Sequence, residues 1–261
     1  MALPRTRSRR CEAMTGSAER QVPEDGFGAL MRGHLAEIER RNATVLDRVA
    51  DGMLAVVERD GIVHTAGAGH SLALVLETFY RAGGLACVNP IWHPALLPLA
   101  GGATSTLMER TTGLAVRLLD AAGPVAGDIA FVFSNSGVNP VPVELAQALT
   151  AAGIEVVAVT SLPSTRGAPA RSGTRLTEVA DHVIDTQVPA GDAAWRAETV
   201  VVGGLSSLSS VFIWNLLLAR LADRAQMRGV DLPLWSSANV EGGDDRNAAL
   251  FIRYRNRICG L

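Results

Sequence analysis

This chain has no lysine: all 24 of its basic residues are arginine. That absence excludes Schiff-base chemistry, a lysine-anchored pyridoxal cofactor and the phosphate-binding lysine of a Walker loop. Cysteine is scarce too. Cys11, Cys87 and Cys259 are odd in number and far apart, which suits a reduced compartment such as the cytoplasm and matches no zinc or redox spacing. No two of the five histidines stand at metal-ligand spacing, so neither a metal nor any other cofactor is expected. Charge is sparse at 19% of residues with a net charge of −2, which gives no general field for nucleic acid or an anionic membrane. Long apolar runs are almost missing as well. One uncharged stretch, residues 199–219, could span a bilayer by length, but Ser206, Ser207, Ser209, Ser210, Asn215 and two glycines would all need partners in lipid. It reads as a buried helix, packed at the core or at a subunit interface.

What is abundant is aliphatic residue. A chain of 261 residues that is 48% hydrophobic has enough material for one large α/β domain. Residues 1–24 stand apart from it. They are polar and arginine-rich with no apolar segment, so we expect a disordered arm rather than a secretory signal or an anchor, followed by a single domain over 25–261.

The domain is organised around residues 129–152, IAFVFSNSGVNPVPVELAQALTAA. An apolar run of strand length stops at Ser134, Asn135, Ser136 and Gly137, and a helical apolar period follows in Leu145, Ala148, Leu149 and Ala152. Asn139 can cap that helix, Pro140 suits its first position and Gly153 can end it. The turn aims hydroxyls and backbone N–H groups at one spot, which is either an anion site at a helix N-terminus or an ordinary well-capped turn.

The same pattern recurs along the chain. Residues 26–58 read as helix, in one long or two consecutive segments, with Glu37, Glu39, Arg40, Arg41 and Asp47 on solvated faces. Residues 62–66 read as a strand, then Gly67, Ala68, Gly69, His70 and Ser71 as a glycine-rich turn into a helix that Arg81 to Gly84 terminate. A third glycine at dinucleotide-fingerprint spacing is missing. A short strand is expected around 85–88, a Pro/Gly loop from 89, and a helix from about Ser105 through Glu109 towards Leu119. Strand 155–160, a loop over 161–173, a short helix near 176–180 and a last strand at 182–184 follow. Beyond Asp192, a candidate cap, the chain is expected to be largely helical to about Arg228, with a polar loop at 234–245 and a final helix. Strands alternating with helices imply a parallel sheet covered on both faces, with ligands at the carboxyl ends of the strands.

With these turns in place the chain resembles the sugar isomerase (SIS) superfamily over roughly residues 26–257. The runs that carry the resemblance are GAGHS (67–71), ETFYRAGG (77–84), VNP (88–90), SNSGVNPVPVE (134–144), TSL (160–162) and SSANVEGGD (236–244). It is closest to stand-alone bacterial members of that superfamily. The resemblance implies a three-layer αβα sandwich with a five-stranded parallel sheet plus N- and C-terminal helices. It implies that Ser71, Ser134, Asn135, Ser136 and Ser161 hold the phosphate of a sugar phosphate. One departure stands out: relatives often carry Thr where this chain has Asn139, whose amide can still donate to phosphate. The resemblance also implies a homodimer or tetramer with sites at the interface, for which 199–219 is the natural contact. N-acetylmuramic acid 6-phosphate etherases have a similar GAG turn and use paired glutamates without metal. The superfamily's transcription factors carry an N-terminal helix-turn-helix domain, for which this chain has no basic recognition helix.

Chemistry next to a sugar carbonyl needs a base and a second proton-transferring group. Glu77 and Glu109 are the expected pair, with His70 beside the phosphate turn to open the ring or bind an oxygen. Gly69, His93 and Asn239 are weaker substrate-binding candidates. A surface carboxylate is the alternative for either glutamate, and Arg110 stands ready to pair with Glu109. If the abstracted proton returns to the neighbouring carbon, an aldose becomes a ketose. If the 3-substituent leaves, the enzyme is a lyase. An acylated 2-amino group favours the second route, so the expected activity is loss of water from an amino-sugar 6-phosphate such as N-acetylglucosamine 6-phosphate. Aldose-ketose isomerisation is the runner-up, and a non-catalytic sugar-phosphate sensor is the alternative of another class.

Overall fold

The computed structural model describes residues 26–261; the arm expected over 1–24 lies outside the described residues. Five short strands, β1 (Val63–Gly67), β2 (Val88–Ile91), β3 (Ile129–Phe133), β4 (Glu155–Thr160) and β5 (His182–Asp185), form one parallel sheet in the order β2-β1-β3-β4-β5. Strands β1 to β4 are buried on both faces almost throughout, as a parallel sheet requires, and the edge strand β5 is half-buried at His182 and Val183. Ala130, Val132, Val156 and Ala158 pack into one cluster with Val143, Ala146 and Leu149 of α5 (Pro140–Ala151) and Leu176 of α7 (Leu176–Val179). Phe131, Phe133, Val157 and Val159 alternate with them and join the larger cluster that holds α1 (Gly26–Glu58), α2 (Leu72–Thr78) and α8 (Ser206–Arg228). Helices α4 (Leu114–Ala122), α5 and α7 cover one face of the sheet, and α1, α2 and α8 the other. This is the three-layer αβα sandwich expected.

Helix α1 is a single segment of 33 residues. Its buried stripe of Ile38, Leu46, Val49 and Met53 includes one amide, Asn42, which bonds the backbone of edge strand β5. Asn42 accepts from the Asp185 N–H at 2.9 Å and donates to the Asp185 carbonyl at 2.9 Å. The stretch 199–219 divides: its first residues form a strand and the rest opens α8. The buried face of α8, with Ile213, Trp214, Leu217 and Leu221, shares its apolar cluster with α1 of the same chain. Arg220 and Arg224 flank this packing with ion pairs to Asp47 and Asp51 at 2.7–2.8 Å. Such half-exposed pairs add little beside the apolar burial.

Elsewhere the structure departs from the sequence-based expectation. The helix expected from Ser105 to Leu119 is two, α3 (Gly102–Glu109) and α4, broken where Gly113 takes φ +80° and donates its N–H to Glu144 at 2.8 Å. The strand expected at 85–88 begins at Val88, and Leu85 makes only an isolated bridge to Leu234. The loop at 161–173 holds a short helix, α6 (Leu162–Gly167). The region after Asp192 is not helical at first but an antiparallel hairpin, β6 (Ala193–Ala197) with β7 (Val200–Gly204). Asp192 is a cap nonetheless, for the distant α8: its carboxylate accepts from the N–H groups of Leu205 and Ser206 at 3.0 and 2.8 Å and from the Ser206 hydroxyl at 2.8 Å. Helix α9 (Gly243–Tyr254) closes the fold. No helix among the described residues is long and apolar enough to cross a membrane.

Candidate functional site

Helices α2 and α5 leave β1 and β3 towards opposite faces of the sheet. The two strands are neighbours, so their following loops part and open a crevice at the carboxyl edge. That crevice is a cavity of about 380 Å³. Four segments wall it: the turn Ala68 to Ser71, the turn Ser134 to Ser136 with Asn139, one side of α3, and Asp192 with the start of α8.

The first turn is tight because a Cβ on Gly67 would come within 2.9 Å of the Ser71 carbonyl oxygen. Gly69 takes φ +59°, and the place where its Cβ would stand is 3.6 Å from Glu109 Oε2. The Glu109 carboxylate thus hangs over the turn from α3. It is half-buried and, among the described residues, paired with no cation; Arg110 does not reach back to it. His70 is exposed at the rim of the same turn.

The second turn is closed by Ser134, whose Oγ accepts the Gly137 N–H at 3.2 Å. Gly137 has φ +61°, and a Cβ there would lie 2.9 Å from Thr160 Oγ1. Neighbouring loops hold the turn from outside. Leu176 donates its N–H to the Gly137 carbonyl at 2.8 Å, and Ser161 donates its own to the Asn135 carbonyl at 3.1 Å. Asn135 Oδ1 is buried in this turn with no hydrogen-bond partner. An orphaned acceptor in a cavity wall costs about 1–3 kcal/mol until a donor meets it, and a ligand hydroxyl is such a donor. Pro140 opens α5 as expected, but the Asn139 side chain does not cap it: its Oδ1 accepts from Arg171 Nη1 at 2.9 Å.

The structure therefore gathers Gly69, His70, Ser71, Glu109, Ser134, Asn135, Ser136 and Asn139 around one cavity. Four expected residues lie away from it. Glu77, one helical turn before Arg81, ion-pairs with it at 2.9 Å on α2, outside the cavity wall. Ser161 is wholly buried; its Oγ accepts the Ser164 N–H at 3.0 Å to cap α6 and donates to the Val188 carbonyl, leaving it committed to the fold. His93 is exposed and caps a single turn, accepting the Ala95 N–H at 3.1 Å. Asn239 is exposed in the polar loop before α9, its N–H donating to the Ser237 hydroxyl at 3.2 Å.

The cavity also contains residues that sequence reasoning passed over: Ser105 and Thr106 of α3, Asp192, and Ser206, Ser207 and Ser210 of α8. The signal was present as an aspartate followed by a serine cluster at a helix start. Among the described residues no arginine lines the cavity, and its acids are Glu109 and Asp192. Neutral donors and the positive end of the α5 dipole are what an anion would meet there. Among the described residues no group of three or more His, Cys, Asp or Glu is placed to hold a metal ion.

The chain is 37% identical to a UPF0309 protein of Brucella anthropi over 87% of its own length and 91% of that protein. It is 36% identical to one of Geobacillus thermodenitrificans over 82% of its length and 87% of that protein. Among solved structures it is similar to phosphoheptose isomerase from Neisseria gonorrhoeae, with a TM-score of 0.49 and 18% identity over 77% of this chain and 95% of the other. The family model for the SIS domain matches residues 27–161, which hold both turns and the sheet from β1 to β4, and the chain belongs to that family.

Proposed function

We propose that this protein is a phosphosugar enzyme that moves protons beside the sugar carbonyl, with Glu109 as the base and His70 as the partner acid. The observation that carries the reading is the unpaired Glu109 carboxylate hanging over Gly69 inside a hydroxyl-lined cavity. Ser71, Ser134, Ser136 and Asn139 supply neutral donors for the phosphate, at the N-terminal end of α5. Asn135 and the α8 serines Ser206, Ser207 and Ser210 line the rest of the cavity, where the sugar hydroxyls would lie.

Glu109 takes the proton from the carbon next to the carbonyl, and the negative charge moves to the carbonyl oxygen as an enediolate. His70 donates a proton at that oxygen. His70 then takes back a proton from the neighbouring hydroxyl as that oxygen becomes the new carbonyl, and return of the first proton to the carbon that carried the old carbonyl completes an aldose-ketose isomerisation with one carboxylate. Loss of water from an amino-sugar 6-phosphate drew its second carboxylate from Glu77, which does not line the cavity and is ion-paired with Arg81. Asp192 does not replace it, because three donors already hold its oxygens. Isomerisation is therefore the reading that this geometry supports best.

The test is a panel of sugar 6-phosphates, including N-acetylglucosamine 6-phosphate, incubated in deuterated water and read by mass spectrometry. Isomerisation gives a product of unchanged formula carrying one solvent deuterium. Elimination gives loss of one water and would move the assignment to a lyase. Saturable binding with neither change would make the protein a sensor. Glu109→Gln should lower turnover by about a hundred- to ten-thousandfold while binding persists; full activity in that variant removes Glu109 from the chemistry.

A further inference from the structure

Among the described residues, a cavity proposed to hold a phosphate dianion has two carboxylates in its wall and no arginine. The nearest guanidinium that bonds a wall residue is Arg171, which sits outside the cavity on the loop after α6 and is itself exposed. Two bonds tie that loop to the phosphate turn at consecutive residues. The Arg171 N–H donates to the Val138 carbonyl at 3.1 Å, and Arg171 Nη1 donates to Asn139 Oδ1 at 2.9 Å. A guanidinium has five donors and no acceptor, so the amide end that it meets must be the oxygen. The nitrogen end, with both its donors, is then the end left for the cavity. An amide without such a partner turns over at little cost and presents an acceptor to the phosphate, which repels it.

We propose that Arg171 is a positioning residue: resting on the phosphosugar reading above, it locks the Asn139 amide with its donors towards the phosphate and lends positive charge at one remove. This arrangement follows from having an amide at this position, where a hydroxyl could turn its own donor towards the ligand. The planar fork of arginine fixes one orientation better than a lysine point charge.

Calorimetric titration with N-acetylglucosamine 6-phosphate, inorganic phosphate and unphosphorylated N-acetylglucosamine tests this. Arg171→Met should weaken both phosphate-bearing probes by about tenfold, the size of one hydrogen bond to a charged group, and leave the unphosphorylated sugar unchanged. Arg171→Lys, which keeps a donor and the charge, should recover most of the loss. In an Asn139→Thr background the further change Arg171→Met should cost less than about twofold, because the threonine hydroxyl orients itself. Equal affinity of the wild type and Arg171→Met overturns the inference while the phosphosugar reading stands. Equal losses in both backgrounds overturn it too, since they make Arg171 a general attractor or a structural prop. Wild-type protein that binds neither phosphate-bearing probe overturns both.

Discussion

At the scale of single residues, the site depends on positions where a side chain has no room. Gly137 is the sharpest of them: its left-handed backbone is costly for any L-residue, and an added methyl would lie 2.9 Å from Thr160 Oγ1 and 3.2 Å from Thr165 Oγ1. Gly137→Ala should cost about 2 kcal/mol from the backbone alone. A melting experiment should show a fall of about 4–8 °C, and sugar phosphate binding should fail with it because Ser134 closes its turn on the Gly137 N–H. Unchanged melting and binding would mean that the turn is not built as described. Such glycines, and the serines beside them, are legible in sequence because the constraint is local. The partners of the acids are less so. Glu77 stands among Leu74, Leu76, Phe79 and Tyr80, which suggests burial, but α2 ends at Thr78 and Arg81 is one turn ahead to take the carboxylate. The bond from Arg171 to Asn139 joins residues 32 apart and follows no periodicity, so nothing in the sequence announces it.

At the scale of elements, β1, β3, β4 and β5 were readable because each is a short, mostly apolar or β-branched run bounded by glycine, serine or a helical period, whereas β2, which runs through Asn89 and Pro90, was placed three residues early. The hairpin β6–β7 was not. Ala193 to Ala197 have little β-branched character, and the turn uses Glu198 at φ +46°, where glycine or asparagine would have signalled it. The hairpin leans on α1 through Phe27, whose ring lies edge-on to Trp195 at 6.2 Å and fills the space beside Gly203. Val200, Val201 and Val202 of β7 are nonetheless 54%, 43% and 52% exposed, Val200 and Val202 on one face and Val201 on the other. Three adjacent exposed valines on a strand with a free edge form a surface suited to pairing between copies. With α8 packed against its own α1, this hairpin is where self-association is expected. Light scattering should find the chain above monomer mass, and Val200→Ser with Val202→Ser should shift it towards monomer without lowering the melting temperature of the fold by more than a few degrees. A monomeric wild type, or a variant of unchanged mass, refutes this role.

At the scale of the whole molecule, the candidate cavity and a buried polar network occupy opposite edges of the sheet, separated by about 16 Å of strand. The cavity lies at the carboxyl edge. At the amino edge a buried network surrounds Asp128, which accepts from the Ile62 N–H at 2.9 Å, the Val125 N–H at 3.0 Å and His64 Nε2 at 3.0 Å. Asn89 extends it, accepting the Cys259 N–H at 2.9 Å and donating to the Ala122 carbonyl at 3.0 Å, so that β1, β2, β3, α4 and the end of the chain meet there. Burial by itself would raise the Asp128 carboxyl, but the bonds from His64, Val125 and Ile62 outweigh it and hold the group below its ordinary value of 3.8. A carboxyl held low when folded stabilises the fold fully above that ordinary value. Its contribution fades as pH falls through the ordinary range and is gone once pH passes below the folded pKa. Asp128→Asn should therefore cost about 2–3 kcal/mol at neutral pH and flatten the fall of stability between about pH 5 and pH 2. A residual slope should remain from carboxylates such as Asp47, held low by its hydrogen bond from Arg224. Because the network lies a full strand length from the turns that wall the cavity, affinity for a sugar phosphate at neutral pH should stay within about twofold of wild type in the folded fraction. Denaturant titrations across pH, run beside calorimetry, measure both quantities on one sample. A variant that keeps the wild-type acid limb, or one that loses ligand affinity while folded, would show that the two edges are not independent in this way.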